Sequence, residues 1–303
     1  MDKLRFDDRV AVITGAGRGL GRAYAELLAS RGAKVVVNDA GVSMQGDSDD
    51  DSPAVEVVKA IKAAGGEALA CTDSVATPEG GKAIIDAAMD SYGRVDILIH
   101  NAGIVRRAPL AEMSFDDFEA VLDVHLRGGF HVVRAAFPFM LKAGYGRLIM
   151  AGSINGLYGN RGVVNYSVAK AGLNALSHVA ALEGADNNVK SNVILPAAVT
   201  RMSEGVDVSA FPPMNSDLVA PVVAWLAHES CSISGEMLIS VAGRLARAYA
   251  AETPGIYSPD WTIEKVAAQI DSIRDAKAPV VFPVVPSGHL DHLRYSFEMV
   301  SGD

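Results

Sequence analysis

One pattern constrains the fold of this chain more than any other: short β-branched runs alternate with longer alanine-rich segments. Arg9–Thr14, Lys34–Asn38, Glu67–Cys71, Val95–His100, Arg147–Ala151, Val189–Leu195 and Glu236–Ser240 read as strands. Gly19–Arg31, Ala54–Ala64, Pro78–Tyr92, about Phe115–Lys142, Val163–Glu183 and Asp217–His228 read as helices between them. The strands carry little polar alternation, which predicts burial on both faces. Strand and helix in turn at this spacing predict an α/β, Rossmann-type doubly wound parallel sheet of about seven strands, with helices on both faces. Ligands of such sheets sit beyond the carboxyl ends of the strands, so the residues just after strands are the ones to inspect.

The repeat ends near Gly243. We place one domain over 1–243 and a C-terminal extension over 244–303, packed on the same domain or on a neighbouring subunit. The extension holds a helix, Thr262–Arg274, capped by Thr262, and then a proline-spaced stretch from Pro279 to Pro286. Two loops interrupt the alternation. Ala40–Ser52 is acidic and reads as a solvated loop. Val199–Asn215, with Pro212-Pro213, reads as a substrate lid.

The formal net charge of -9 makes nucleic acid and anionic membrane poor partners. No apolar run approaches the ~20 residues of a membrane helix. Neither signal peptide nor lipidation or peroxisomal ending is visible. The two cysteines, Cys71 and Cys231, make neither a disulfide framework nor a zinc site and read as small buried hydrophobes. A cytoplasmic protein without a metal is the expectation.

Thr14-Gly15-Ala16-Gly17-Arg18-Gly19-Leu20-Gly21 follows the first strand and opens the first helix. A pyrophosphate there would meet backbone N–H groups and the positive end of the helix dipole, with glycines allowing close approach. Asp39 ends the second strand, where a carboxylate can accept both adenosine ribose hydroxyls and would repel a 2′-phosphate. This favours NAD over NADP. Arg18 is the contrary sign, since a basic residue in the glycine loop can serve a 2′-phosphate. Asp73-Ser74 follows the third strand and either bonds the adenine edge or caps the next helix. Asn101-Ala102-Gly103 follows the fourth strand, where small residues let the backbone pass close to a cofactor.

Tyr166 and Lys170 are four residues apart in a predicted helix and share one face. A tyrosine with an unperturbed pKa near ~10 is a poor base at neutral pH, and a nearby ammonium favours its phenolate. Ser153 follows the fifth strand, and its hydroxyl can hold a substrate oxygen while Tyr166 moves the proton.

These motifs together resemble the short-chain dehydrogenase/reductase superfamily, in family order and spacing from about Arg5 to Gly243. The resemblance implies that Tyr166 is the general acid/base, that Ser153 polarises the substrate oxygen, and that Lys170 binds the nicotinamide ribose and lowers the pKa of Tyr166. Val37-Asn38-Asp39, His125-Leu126-Arg127-Gly128, Tyr158-Gly159-Asn160 and the stretch Ala220–Cys231 look like the dehydrogenase part of the multifunctional β-oxidation enzymes. That likeness implies an NAD-dependent (3R)-hydroxyacyl-CoA dehydrogenase, with a bulky or steroid-derived acyl group among the options. It also implies a homodimer or homotetramer packed through the two long helices.

The chain departs from the family at several places. His125 stands where most members have the Asn that holds a water linked to the lysine; it either takes that relay role or packs on the long helix. Arg161 stands where Phe is usual, and Gly162-Val163-Val164-Asn165 where relatives read Gly-Gln-Ala-Asn. Pro196-Ala197-Ala198-Val199 lacks the glycine usual after the sixth strand, and Thr200 lies one place short of the usual threonine. Pro196, Val199 and Thr200 are carried over as nicotinamide-side residues. Two alternatives stand beside the NAD-dependent dehydrogenase: an NADPH-dependent ketone, steroid or 3-oxoacyl thioester reductase, and a non-catalytic nucleotide-binding sensor or scaffold.

Overall fold

The strands are β1 (Val10–Thr14), β2 (Lys34–Asn38), β3 (Glu67–Cys71), β4 (Ile97–His100), β5 (Gly146–Ala151), β6 (Val189–Ala197), β7 (Met237–Val241) and β8 (Arg244–Ala248). They form one sheet in the order β3-β2-β1-β4-β5-β6-β7-β8 in a computed structural model that describes residues 3–41, 52–199 and 212–301. The first seven are parallel and β8 runs antiparallel to β7. The strand order reverses between β1 and β4, where a doubly wound sheet opens a ligand crevice.

Alternation along β1 divides the core. Ala11 and Ile13 face one layer, with helices α1 (Gly19–Ser30), α2 (Pro53–Ala63) and α8 (Ala220–Ala227). Val10 and Val12 face the other, with α3 (Pro78–Tyr92), α5 (Gly128–Ala143) and α7 (Val164–Gly184). All five β1 residues are buried, the signature of a strand covered on both sides. Cys71 and Cys231 are buried and unbridged.

The expected helix Phe115–Lys142 is not one regular helix. It is α4 (Phe115–Leu122), a π-helical turn Asp123–Arg127, and α5. A π turn inserts one extra residue and rotates the helix beyond it, which an apolar period does not reveal. Gly128 and Gly129 stand just after it. Added Cβ atoms there would lie 2.8 Å from Val75 and 2.7 Å from Leu173, so α5 approaches its neighbours too closely for a side chain.

The sheet has eight strands, one more than about seven. β8 follows β7 through Ala242 (φ 49°) and Gly243 (φ 80°), a two-residue turn with both φ values positive. Further elements are α6 (Asn155–Tyr158), α9 (Ile263–Ile273) and α10 (Leu290–Ser301). Thr262 caps α9 as the sequence predicts, accepting from Lys265 N–H at 3.2 Å. The extension meets its own domain where Val284 lies against Gly235 and Leu182 against Gly288. No helix among the described residues is long and apolar enough to cross a membrane. The described residues hold no group of His, Cys, Asp and Glu fit for a metal ion.

Candidate active site

The glycine loop bridges β1 and α1. Gly15 (φ 63°) and Gly19 (φ 53°) take left-handed backbone that side chains disfavour. A Cβ on Gly17 would lie 2.6 Å from Pro53 and 2.8 Å from Asp39, and one on Gly21 would lie 2.2 Å from the Gly15 carbonyl. The first turn of α1 has neither a side-chain cap bond nor an acidic residue. Its N–H groups thus remain available to an outside anion. Leu20 packs its side chain against the core behind this turn.

Asp39, at the end of β2, lies within reach of that turn. Its Oδ2 accepts from Gly17 N–H and its Oδ1 from Gly41 N–H, both at 3.0 Å. A carboxylate has about four acceptor sites, so two remain for hydroxyls. The loop, the open helix N-terminus and this carboxylate fit a dinucleotide. Gly15, Gly17, Gly19 and Gly21 would admit its pyrophosphate, and Asp39 its adenosine ribose.

Asp73 and Ser74 do not cap α3; that role falls to Thr77, which accepts from Gly80 N–H at 3.1 Å. Ser74 Oγ accepts from Ala76 N–H at 3.2 Å, and the exposed Asp73 carboxylate accepts from the Cys71 thiol at 3.3 Å. Asn38 donates to the Asp73 carbonyl at 2.8 Å, which fixes this turn beside β2.

Asn101 braces the crevice. Its amide donates to the Gly15 carbonyl at 3.0 Å. The Thr14 hydroxyl accepts from Asn101 N–H at 3.0 Å and from Ala102 N–H at 3.1 Å. The backbone ends of β1 and β4 are thereby locked together. Gly103 admits no side chain, since a Cβ would fall 2.2 Å from the His125 ring.

Ser153, Tyr166 and Lys170 converge at the carboxyl end of β5. Ser153 is buried after that strand and accepts from Asn155 N–H at 3.1 Å. Tyr166 and Lys170 lie one turn apart on α7, with Lys170 Nζ 5.5 Å from the Tyr166 ring centroid. Lys170 is buried and donates to the Ala151 carbonyl. Burial pulls its pKa from 10.5 down to about 7.

Burial pushes the Tyr166 pKa up; a hydrogen bond from Ser153 and the charge of Arg107 pull the other way. Loss of water around the phenol dominates.

His125 sits within the π turn, fully buried. Its Nε2 donates to the Ile104 carbonyl at 2.8 Å. Its ring meets Tyr166 edge-on, with centroids 5.1 Å apart and an interplanar angle of 87°. Burial first, and then the Lys170 charge, hold its pKa well below the usual histidine value. Its Nε2 is thus used by the backbone, while its Nδ1 is buried without a partner among the described residues.

Sequence reasoning missed two residues. His100, at the end of β4, bonds the His125 carbonyl through Nε2 at 2.8 Å. Asn165 is fully buried, donates to the carbonyls of Arg106 (3.1 Å) and Asp117 (3.0 Å), and accepts from Tyr166 N–H at 2.8 Å. It ties the loop after β4, helix α4 and the base of Tyr166 into one unit. The only sequence signal for either is its place beside a strand end or next to the tyrosine. Pro196 belongs to β6, and Val199 N–H donates to the Met214 carbonyl at 2.7 Å. Thr200, most of the expected lid and most of the acidic loop lie outside the described residues.

The family model for short chain dehydrogenase matches residues 9–207. The chain is 52% identical over 243 residues to the peroxisomal multifunctional enzyme type 2 of Drosophila melanogaster, across 80% of this chain and 40% of that enzyme. The solved structure of that full-length enzyme superposes with a TM-score of 0.81 at 39% identity, covering 98% of this chain and 50% of the other. This chain therefore spans half or less of the length of the fly protein. A short chain dehydrogenase from Mycobacterium avium gives a TM-score of 0.78 at 36% identity, covering 92% of this chain and 98% of its own. The crevice, the motifs and these likenesses agree: the chain belongs to the short-chain dehydrogenase family and is an NAD(P)-dependent oxidoreductase.

Proposed function

We propose that the protein is an NAD-dependent dehydrogenase of 3-hydroxyacyl-CoA thioesters, with Tyr166 as its general acid/base. The observation that carries this reading is the convergence of Ser153, Tyr166 and Lys170 beside a glycine loop closed by Asp39. The resemblance of Val37-Asn38-Asp39, His125–Gly128, Tyr158-Gly159-Asn160 and Ala220–Cys231 to the dehydrogenase part of the multifunctional β-oxidation enzymes, together with the likeness to the fly multifunctional enzyme, supports the substrate class.

When bound, the nicotinamide supplies the hydride acceptor for alcohol oxidation. Tyr166, as phenolate, takes the hydroxyl proton of the substrate at Oη. Ser153 Oγ donates to the same substrate oxygen and holds it against Tyr166. Lys170 would hold the nicotinamide ribose, and its ammonium would stabilise the phenolate. Asp39 holds the adenosine ribose and repels a 2′-phosphate, which favours NAD over NADP. His125 and Asn165 are positioning residues for the tyrosine. Exposed Phe130 on α5, with Val168 and Val179 on α7, supports assembly into a homodimer or homotetramer through these helices.

The test is NADH formation over a panel of (3R)- and (3S)-hydroxyacyl-CoAs and hydroxysteroids, repeated with NADP. The reading expects turnover of hydroxyacyl-CoAs with NAD preferred. Turnover of free hydroxysteroids alone, or a lower KM for NADP, contradicts it.

A further inference from the structure

Two exposed arginines lie on segments beside Tyr166: Arg107, in the loop after β4, whose charge reaches the Tyr166 phenol, and Arg161, in the turn before α7. The two segments are joined, because Ala108 N–H donates to the Gly162 carbonyl at 3.1 Å. Arg161 N–H is held by Asn160 Oδ1 at 2.8 Å, which orders that turn.

The neighbouring cation behaves differently. Arg106 forms an ion pair with Asp117 at 2.8 Å. Arg5, Arg9, Arg22, Arg94, Arg127 and Arg294 are also paired with carboxylates. Among the described residues, neither Arg107 nor Arg161 has a carboxylate partner. Arg31, Arg134, Arg147, Arg244 and Arg274 likewise have no carboxylate partner among the described residues, so what distinguishes this pair is its place on two joined loops beside Tyr166 in a chain of net charge -9. Arg161 is also where the chain departs from the family's usual Phe.

We propose that Arg107 and Arg161 form an oxyanion-recognition pair on the substrate side of the cleft, selecting substrates that carry a phosphate or carboxylate; the pair rests on the hydroxyacyl-CoA reading and concerns what else that substrate carries. Arginine suits this task, since its planar fork binds either group through two parallel hydrogen bonds. The charge of Arg107 also reaches the Tyr166 phenol and favours its ionised form. Two sources offer the required group: the phosphates of coenzyme A, or a carboxylate on the acyl portion.

The experiment compares three substrates with one hydroxyacyl core: the CoA thioester, the neutral N-acetylcysteamine thioester, and the N-acetylcysteamine thioester of an ω-carboxylated acyl chain. Each is assayed with wild type, Arg107→Gln, Arg161→Gln, the double variant and Arg107→Lys. Loss of a charge-assisted hydrogen bond predicts that KM for the anionic substrate rises by at least about tenfold more than KM for the neutral one. Arg107→Lys is expected to recover part of that difference. A selective rise for the CoA thioester identifies the phosphates, and one for the ω-carboxylated thioester identifies the carboxylate; both support the proposal. Equal changes across all three substrates overturn it while leaving the hydroxyacyl reading intact. No turnover of any thioester by wild type overturns both.

Discussion

His100 donates from Nε2 to the carbonyl oxygen of His125 at 2.8 Å. A carbonyl only accepts, so Nε2 carries the proton and Nδ1 is an acceptor for the Thr14 hydroxyl at 3.1 Å. Thr14 in turn accepts from Asn101 and Ala102. One neutral imidazole thus joins the end of β1, the end of β4 and the π turn whose His125 ring meets the Tyr166 ring.

This linkage gives the first prediction. Burial pulls the His100 pKa from 6.5 to about 4, so the folded state resists its protonation. Between those values the unfolded chain binds the proton first, and stability rises with pH. Lowering the pH through this window should remove about 3 kcal/mol on account of His100 alone. Denaturant unfolding at pH 7 and pH 4.5 measures it. His100→Gln should flatten the acid limb, and an unchanged limb contradicts the role assigned to this ring.

Lys170 gives the second. Its pKa falls from 10.5 to about 7 on burial. The folded state therefore disfavours the charge, and the cost is fully present below pH 7 and relieved as pH rises toward 10.5. Lys170→Met should abolish activity yet stabilise the cofactor-free protein. The gain should be about 3 kcal/mol larger at pH 6 than at pH 9. Such a trade of stability for function is common at active sites. Equal effects at the two pH values would show that the ammonium is not desolvated in the folded protein.

Asp39 gives the third. Its carboxylate already holds Gly17 and Gly41 N–H groups, so it is fixed before any ribose arrives. Asp39→Ser should cut the preference for NAD over NADP by at least about tenfold, as loss of charged hydrogen bonds and of 2′-phosphate repulsion requires. The ratio of kcat/KM values for the two cofactors reads it. An unchanged ratio moves the selectivity elsewhere in the loop.

The sheet was legible because its strands are covered on both faces: Val10–Thr14 is apolar apart from Thr14, and that residue's hydroxyl is used internally. The glycine loop and the Ser153, Tyr166 and Lys170 set were legible because their spacing relative to strands carries the geometry. β8 was not. Arg244 and Arg247 read as polar, and Ala242-Gly243 lacks the Asn-Gly or Asp-Gly signal of a tight hairpin, although Ala242 adopts the positive φ such a turn needs. The π turn at Asp123–Arg127 was hidden because one added residue barely disturbs an apolar period. His100 and Asn165 were hidden because a buried polar side chain declares its partners only in three dimensions.

The central claim is that Tyr166 moves the proton while Ser153 holds the oxygen. Single-turnover NADH formation from a (3R)-hydroxyacyl-CoA by wild type and Tyr166→Phe, with NAD affinity measured in parallel, tests it most directly. The account predicts a rate lower by about 10²–10⁴-fold with NAD binding nearly retained. A Tyr166→Phe enzyme that forms NADH at the wild-type rate would contradict it.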